Sequence, residues 1–471
     1  MPRKAVKEDK REMNHERENK KEKQGIKKKE RRAGKKKKME RKKVVERKKV
    51  VVLGGGLSGL AAADRLMLSG HDVTIIEKSS RLGGLASSFV HDGREIPVHY
   101  HHIFSHDSLT LKFLRRFGLA ENMVWKRNRM CILVKEKLCN FTNPLSLLGF
   151  RYLSLYARIR YGLFGAYVLF FLKPGNIDKR KDAKGWLYEK VGKEVTDKLF
   201  SYLQARNKFG IPLEDISARQ FAHRLKAGEV IGRFGYPQDG LQLMIDRLEQ
   251  TIVRRGCRIM KSSQIAEIDL KKKRISLLHD KKRKELDYDI VLNTIPLPEF
   301  LKLSAGLPKD YREQLSKIRY CPAVTVVFGA KKLLSDYYWF NLLEERIHVI
   351  MQHSWLFDGY KDKIMWALRY GNSAEDLVLK DDVIKKEYLS VVKRYFPGTE
   401  ILWSRVFRER YASPIYDKYY HLHMPDYRSP VKGLYNAGVA VSYPKIRNMN
   451  SALESGIKAA QKIIEDIRKN A

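Results

Sequence analysis

The apolar residues of this chain fall into a pattern only from Val50, where "VVVL" runs unbroken into Gly54-Gly55-Gly56. A short β-branched run of this kind predicts a strand buried on both faces of a parallel sheet. The following "SGLAAADRLMLSG" predicts a helix that Gly70 ends, and "HDVTIIEK" predicts a second strand with Glu77 at its tip. Farther along, Leu241, Met244, Ile245, Leu248 and Ile252 recur at helical spacing. "CRIMKSSQIAEIDL" then alternates as strands do, and "YDIVLNTIPLPEF" predicts another buried strand. The last pattern, "GLYNAGVAVSYPKIRNMNSALESGIKAA", predicts a strand, a glycine and a closing helix, with Asn450 or Ser451 as N-cap and Glu454 nearby. One apolar run fits none of these periods. "YGLFGAYVLFFL", Tyr161 to Leu172, falls short of the roughly 18–20 residues needed to span a bilayer. It reads first as a buried helix and second as one dipping into a membrane interface.

The glycines after the first strand carry a physical meaning. Gly54, Gly56 and Gly59 satisfy G-x-G-x-x-G, with Leu57 and Ser58 between them. The first glycine permits the tight turn, the second lets backbone approach a pyrophosphate, and the third lets helix and strand pack closely. The N–H groups and dipole at the helix start face the phosphates. Glu77, about 20 residues on, is placed to take ribose hydroxyls. Lys78 follows it, and then Arg81 with the pair Gly83-Gly84, where the chain could again run close to phosphate.

This R-x-G-G element after a dinucleotide motif resembles the flavoprotein superfamily of amine oxidases, protoporphyrinogen oxidase, phytoene-type desaturases and UDP-galactopyranose mutase. The resemblance implies FAD as cofactor. It also implies an α/β fold, α+β overall, with a Rossmann-like FAD-binding domain and a discontinuous substrate (cap) domain. Backbone around Ile265 would meet the adenine. Gly438 and the helix start at Asn448, Met449 and Asn450 would lie under the flavin, where a helix dipole stabilises negative charge. Relatives often carry an acid after the strand glycine; this chain has Val439-Ala440. The implied segments are a basic tail over 1–48 and FAD-binding parts over 49–125, 233–300 and 429–471. A mostly helical first cap part takes 126–232 and a second takes 301–428.

"HYHHIFSHD" is similar to the HIF segment of UDP-galactopyranose mutases, where the histidine lies beside the flavin. The match carries over to His102, with Asp107 opening a helix as its N-cap. Four histidines (His99, His101, His102, His106) also raise the question of a metal. Their spacing on a strand and turn does not gather three ligands, and no carboxylate pattern supports one, so no metal is assigned. Flavin chemistry asks the protein to position substrate and exclude water, not to supply an acid–base pair. The pocket candidates are therefore aromatic and basic: Trp366, Arg369 and Tyr370 in one stretch, Arg410, Tyr411, Pro414 and Tyr416 in another. The second stretch resembles the "A-x-P-x-Y" segment of relatives.

Charge changes the picture at one end. The formal net charge is +40, and residues 1–49 hold 24 lysines and arginines against nine acids, with no Phe, Trp or Tyr. Such a segment cannot offset its ordering entropy and reads as disordered or as a frayed, solvated helix. It reads either as a plain solubilising extension or as suited to an anionic surface, membrane first and nucleic acid only after that. No apolar stretch follows the positive region before Val50, so no signal peptide is read. Four cysteines without C-x-x-C spacing fit a reducing interior and exclude a disulfide framework. The location read from these features is cytoplasmic, peripheral on the inner membrane face.

Three function classes follow. The first is an FAD-dependent oxidoreductase moving hydride from a hydrophobic, isoprenoid or lipid-like, or anionic small molecule to flavin N5. The second is a non-redox mutase acting on a nucleotide sugar. The third is a basic binding protein that keeps FAD as a fixture.

Overall fold

The apolar run at Val50 lies in the central strand of a five-stranded parallel sheet in the computed structural model, which describes residues 46–226, 232–371 and 375–470. The sheet order is Arg258–Met260, Asp72–Ile76, Lys49–Leu53, Ile290–Asn293, Leu434–Asn436, and every neighbouring pair is parallel. Its strands thus come from stretches far apart in the chain. Val50 to Leu53 and all of Ile290–Asn293 are buried, as a doubly covered sheet requires. The helix Leu57–Leu68 packs against Leu241–Arg254, which buries Leu241, Met244, Ile245, Leu248 and Ile252. The helical period read at those positions is the packed face. Beside this sheet, Ser263–Asp269, Arg274–His279 and Lys282–Asp287 form an antiparallel ladder, with Ser304–Ala305 added in parallel.

A second, seven-stranded sheet has the order Ile401–Pro414, Tyr320–Ala330, Lys363–Tyr370, Val349–Gln352, Trp339–Leu342, Met130–Val134, Lys137–Asn140. All its pairs are antiparallel except Trp339–Leu342 with Met130–Val134. Phe328, Phe340 and Met365 form its core with Ile384, Tyr388 and Val391 from the helix Asp381–Tyr395. Between residues 144 and 226 the chain is largely helical, including a π-helical stretch Thr196–Phe209 that Gly210 ends in the left-handed region at φ +71°.

Residues 48–464 form one compact unit. Both sheets lie in it. The basic tail falls outside the described residues up to position 45, so its reading as disordered has no structural counterpart here.

The structure corrects the reading of one helix. The helix Leu155–Phe170 is not a plain buried helix: it buries only Ala157, Phe164 and Val168, while Leu163 is 68% and Phe170 76% exposed. Apolar residues occupy nearly its whole circumference, so the pattern could not tell the packed face from the outer one. Phe164 makes the choice by packing on Trp186 and Phe200. Among the described residues no helix is long and apolar enough to cross a membrane.

Candidate functional site

Two glycine elements converge at the start of the helix Leu57–Leu68. The Gly83 N–H donates to the Gly55 carbonyl at 2.9 Å, and Gly56 and Gly83 form a parallel bridge. Gly54 and Gly83 both take positive φ, +98° and +115°, which favours glycine. A Cβ on Gly59 would sit 2.1 Å from the Gly54 carbonyl oxygen, so that glycine is needed for close packing. A Cβ on Gly56 would meet nothing within 4 Å, and one on Gly84 would meet the Gly56 Cα at 3.3 Å. The cleft at Gly56 is therefore open on one side and closed by glycine backbone on the other. No side chain caps the helix there, and its first turn holds no acid. Its leading N–H groups have no partner within the helix, and this cradle fits a diphosphate.

Glu77 lies at the edge of the cradle, only 8% exposed. Its carboxylate accepts the Gly55 N–H at 2.7 Å and the Ser79 N–H at 2.8 Å, leaving lone pairs for hydroxyls. The Ser263 N–H donates to the Glu77 carbonyl at 2.9 Å, which brings the strand of Ile265 to the same corner. A register shift between Ile265 and Glu267 takes Ala266 out of the ladder, freeing backbone groups where an adenine contact is expected. Lys78 pairs with Glu299 at 3.3 Å, and Arg81 pairs with Glu95, so both charges are shared with carboxylates.

The last helix, Met449–Asn470, closes on the first. The Gly438 N–H donates to Ser455 Oγ at 2.9 Å, Ser455 Oγ lies 3.2 Å from Ser58 Oγ, and Ser58 Oγ donates to the Ala452 carbonyl at 2.9 Å. The capping differs from the sequence reading. Asn448, not Asn450 or Ser451, is the N-cap: its Oδ1 accepts the Ser451 N–H at 2.9 Å, and Ser451 Oγ accepts the Asn448 N–H at 3.0 Å. Glu454 instead pairs with Lys445 and Lys458. Asn450 reaches across to the helix Ser108–Arg116, where its Oδ1 accepts the N–H groups of Leu109 and Thr110 at 2.8 and 3.2 Å. Asp107 stands at the N-cap position, but its carboxylate turns back to the Phe104 N–H and to Asn448 Nδ2. The free donors of that helix are thus met from the far end of the chain.

His102 stacks on Phe234 at 4.2 Å, and its Nδ1 lies 3.1 Å from Tyr338 Oη, with Trp339 and Phe104 around it. Burial pushes its pKa down to about 3, helped by Lys208. His99 is likewise pushed down to about 3 by burial, and both residues are partly rather than fully buried. Neutral imidazole is the form present at physiological pH. Lys208 Nζ lies 4.3 Å from the Trp339 ring and donates to Tyr100 Oη at 3.3 Å. Arg447 donates to the carbonyls of Lys208 and Pro414 and lies over the rings of Tyr416 and Phe209. Phe234, Tyr338, Trp339, Lys208 and Arg447 were missed from sequence. Only the aromatic triplet Tyr337-Tyr338-Trp339 offered a signal.

The other pocket candidates divide: Pro414 and Tyr416 meet Arg447, and Tyr370 bonds Tyr100 beside it, while the rest make separate contacts. Arg369 is held by Asp376 at 2.7 Å, and Asp376 also takes Arg346, which makes Arg369 part of an ion-pair cluster. Tyr411 packs on Tyr320 at 5.7 Å, Arg410 is exposed, and Trp366 donates to the Pro97 carbonyl at 3.0 Å. Tyr416 is fully buried, its hydroxyl bonded to the Val439 carbonyl beside Gly438. Among the described residues the grouping with metal-ligand spacing is His91, Asp92 and Asp362, which includes none of the four histidines weighed from sequence.

Comparison with known proteins agrees with this geometry. The family described as "Flavin containing amine oxidoreductase" matches residues 57–464. A Bacillus subtilis (strain 168) protein assigned as an L-amino-acid oxidase is 37% identical over 112 residues, 21% of this chain and 22% of that one. The chain spans less than two thirds of the length of the curated relatives it matches. In structure, a protein from Exiguobacterium sp. 255-15 assigned as a protoporphyrinogen oxidase superposes with a TM-score of 0.71 at 19% identity, covering 89% of this chain and 99% of that one. A reduced UDP-galactopyranose mutase superposes with a TM-score of 0.70 at 15% identity, covering 89% and 96%. At these identities the likeness shows the fold.

Proposed function

Because the chain belongs to the flavin-containing amine oxidoreductase family, we propose that it is an FAD-dependent oxidoreductase acting on a hydrophobic, lipid-like substrate. The observation that carries this reading is the aromatic cluster around His102, linked through Lys208 and Arg447 to a run of packed rings that reaches the helix Leu155–Phe170. Phe164 packs on Phe200, Phe200 on Phe221, and Phe221 on Phe209, beside Arg447.

In this mechanism the chain supplies binding, orientation and a dry site. The converging glycines and the helix start at Leu57 would hold the diphosphate, Glu77 the ribose, and the region from Gly438 to Asn448 the flavin end. Bound FAD supplies the hydride acceptor. His102, backed by the buried rings of Trp339 and Phe234, would exclude water and orient an apolar substrate. Burial keeps His102 neutral, so it positions substrate without carrying charge. Lys208 and Arg447 provide positive charge for an anionic group on that substrate.

Absorption spectroscopy of the pure protein and identification of the released cofactor test the cofactor. Anaerobic flavin bleaching with polyenes, porphyrinogens and amines tests the substrate class. Colourless protein that takes up no flavin would overturn the reading. The cationic pair Lys208 and Arg447, with the HIF segment, favours a second reading as a mutase on a nucleotide sugar. Turnover of a UDP-sugar only after dithionite reduction, with no bleaching by the panel, would select it.

A further inference from the structure

The helix Leu155–Phe170 turns an apolar face outward. Leu155, Ile159, Leu163, Leu169 and Phe170 recur at helical spacing, each between 48% and 76% exposed, with Phe171 just beyond at 71%. The positions between them on that face, Gly162 and Ala166, are exposed and uncharged. A water-facing helix normally shows the reverse arrangement. Leu145, 78% exposed, adds a second point from the short helix Pro144–Leu148, which contacts this one. Contiguous apolar surface of this kind marks a partner or membrane site.

Charge identifies the occupant. At the helix's C-terminal end, Phe171 shares the wall of a cavity of about 360 Å3 with Lys173, Lys181 and Lys190. Glu189 and Asp178 also line it, and Glu189 pairs with Lys181, whereas Lys190 lies over the Tyr167 ring. Exposed Arg151 stands at the other end. An apolar stripe bordered by lysine and arginine, on a chain of net charge +40, is complementary to anionic lipid and repels a second copy of itself. The helix is roughly 24 Å long and cannot span a bilayer, but it can lie in the plane of one.

We propose that this face seats the protein in the interfacial layer of a bilayer rich in anionic lipid. The proposal is independent of the substrate assigned above. The test is co-sedimentation of the full chain with vesicles of phosphatidylcholine alone and with phosphatidylglycerol added, at low salt and at about 1 M salt. Charges in the basic tail act only at low salt, because about 1 M salt shortens the screening length to roughly 3 Å. The expected result is a salt-resistant bound fraction on the anionic vesicles that falls roughly ten- to a hundred-fold in the double variant Leu163→Gln, Phe170→Gln. Phe171→Gln should give a smaller fall, and thermal melting should report all variants folded. Binding lost completely at high salt, or unchanged in the double variant, would overturn the proposal. So would a dimer that the double variant dissolves while vesicles bind neither protein.

Discussion

The helices Leu57–Leu68 and Leu155–Phe170 are both rich in apolar residues, yet the first buries nine of its 12 residues and the second three of its 16. The first lies between a parallel sheet and another helix, and its glycine and alanines let neighbours approach to backbone contact. The second meets the protein along one narrow stripe. Apolar composition therefore says that a surface must leave water, and the neighbours decide whether protein or another apolar phase takes it in.

Acidification should separate the two regions most strongly. His348 is pushed down to about 2, and His99, His102 and His353 to about 3, by burial around the aromatic interior and the seven-stranded sheet. The unfolded chain binds protons below about pH 6.5 that the folded chain refuses, so stability is complete above that pH and falls toward pH 3. Each proton counts for about 1.4 kcal/mol per pH unit, and unfolding free energies from urea titrations at about pH 7.5 and about pH 5 should differ by several kcal/mol, with a lower midpoint at the acid pH. Equal midpoints would show that these rings are already open to water.

The same substitution in the two helix environments should then act in opposite senses. A Cβ on Gly456 of the last helix would lie 2.0 Å from the Ser58 carbonyl oxygen, so Gly456→Ala should cost roughly 2–3 kcal/mol and weaken flavin retention. A Cβ on Gly165 of the outward helix meets nothing within 4 Å, so Gly165→Ala should stabilise by roughly 0.5–1 kcal/mol and leave the flavin spectrum unchanged. Thermal melts and bound-flavin absorbance check both. Between these lies Asn450→Ala, which removes the acceptor at Leu109 and Thr110 and should cost about 1 kcal/mol. Its readout is faster amide exchange in residues 108–111, without a comparable change in the outward helix. The smallest effect belongs to Leu163→Gln, expected to change stability by less than about 0.5 kcal/mol because the side chain is already in water. A larger loss would mean that this face is packed in solution.

Much of the cradle was legible in the chain itself. Gly54, Gly56 and Gly59, the buried strands at Val50 and Ile290, and the helical period from Leu241 to Ile252 each state a local requirement of backbone or packing. The C-terminal cap was misplaced by two or three residues. Asn448, Asn450 and Ser451 are all capable caps, and only the position of the helix Ser108–Arg116 frees Asn450 for a distant role. His102 was singled out through the HIF segment. Its neighbours Phe234, Tyr338 and Lys208 come from separate parts of the chain and share no period or motif.

The sequence by itself determined where a dinucleotide can approach the backbone, because positive φ and missing Cβ atoms are properties of single residues. Tertiary structure decided which rings surround His102, which asparagine caps which helix, and which side of Leu155–Phe170 faces outward. Those outcomes depend on what other segments place nearby, and burial is a property of the assembled neighbours.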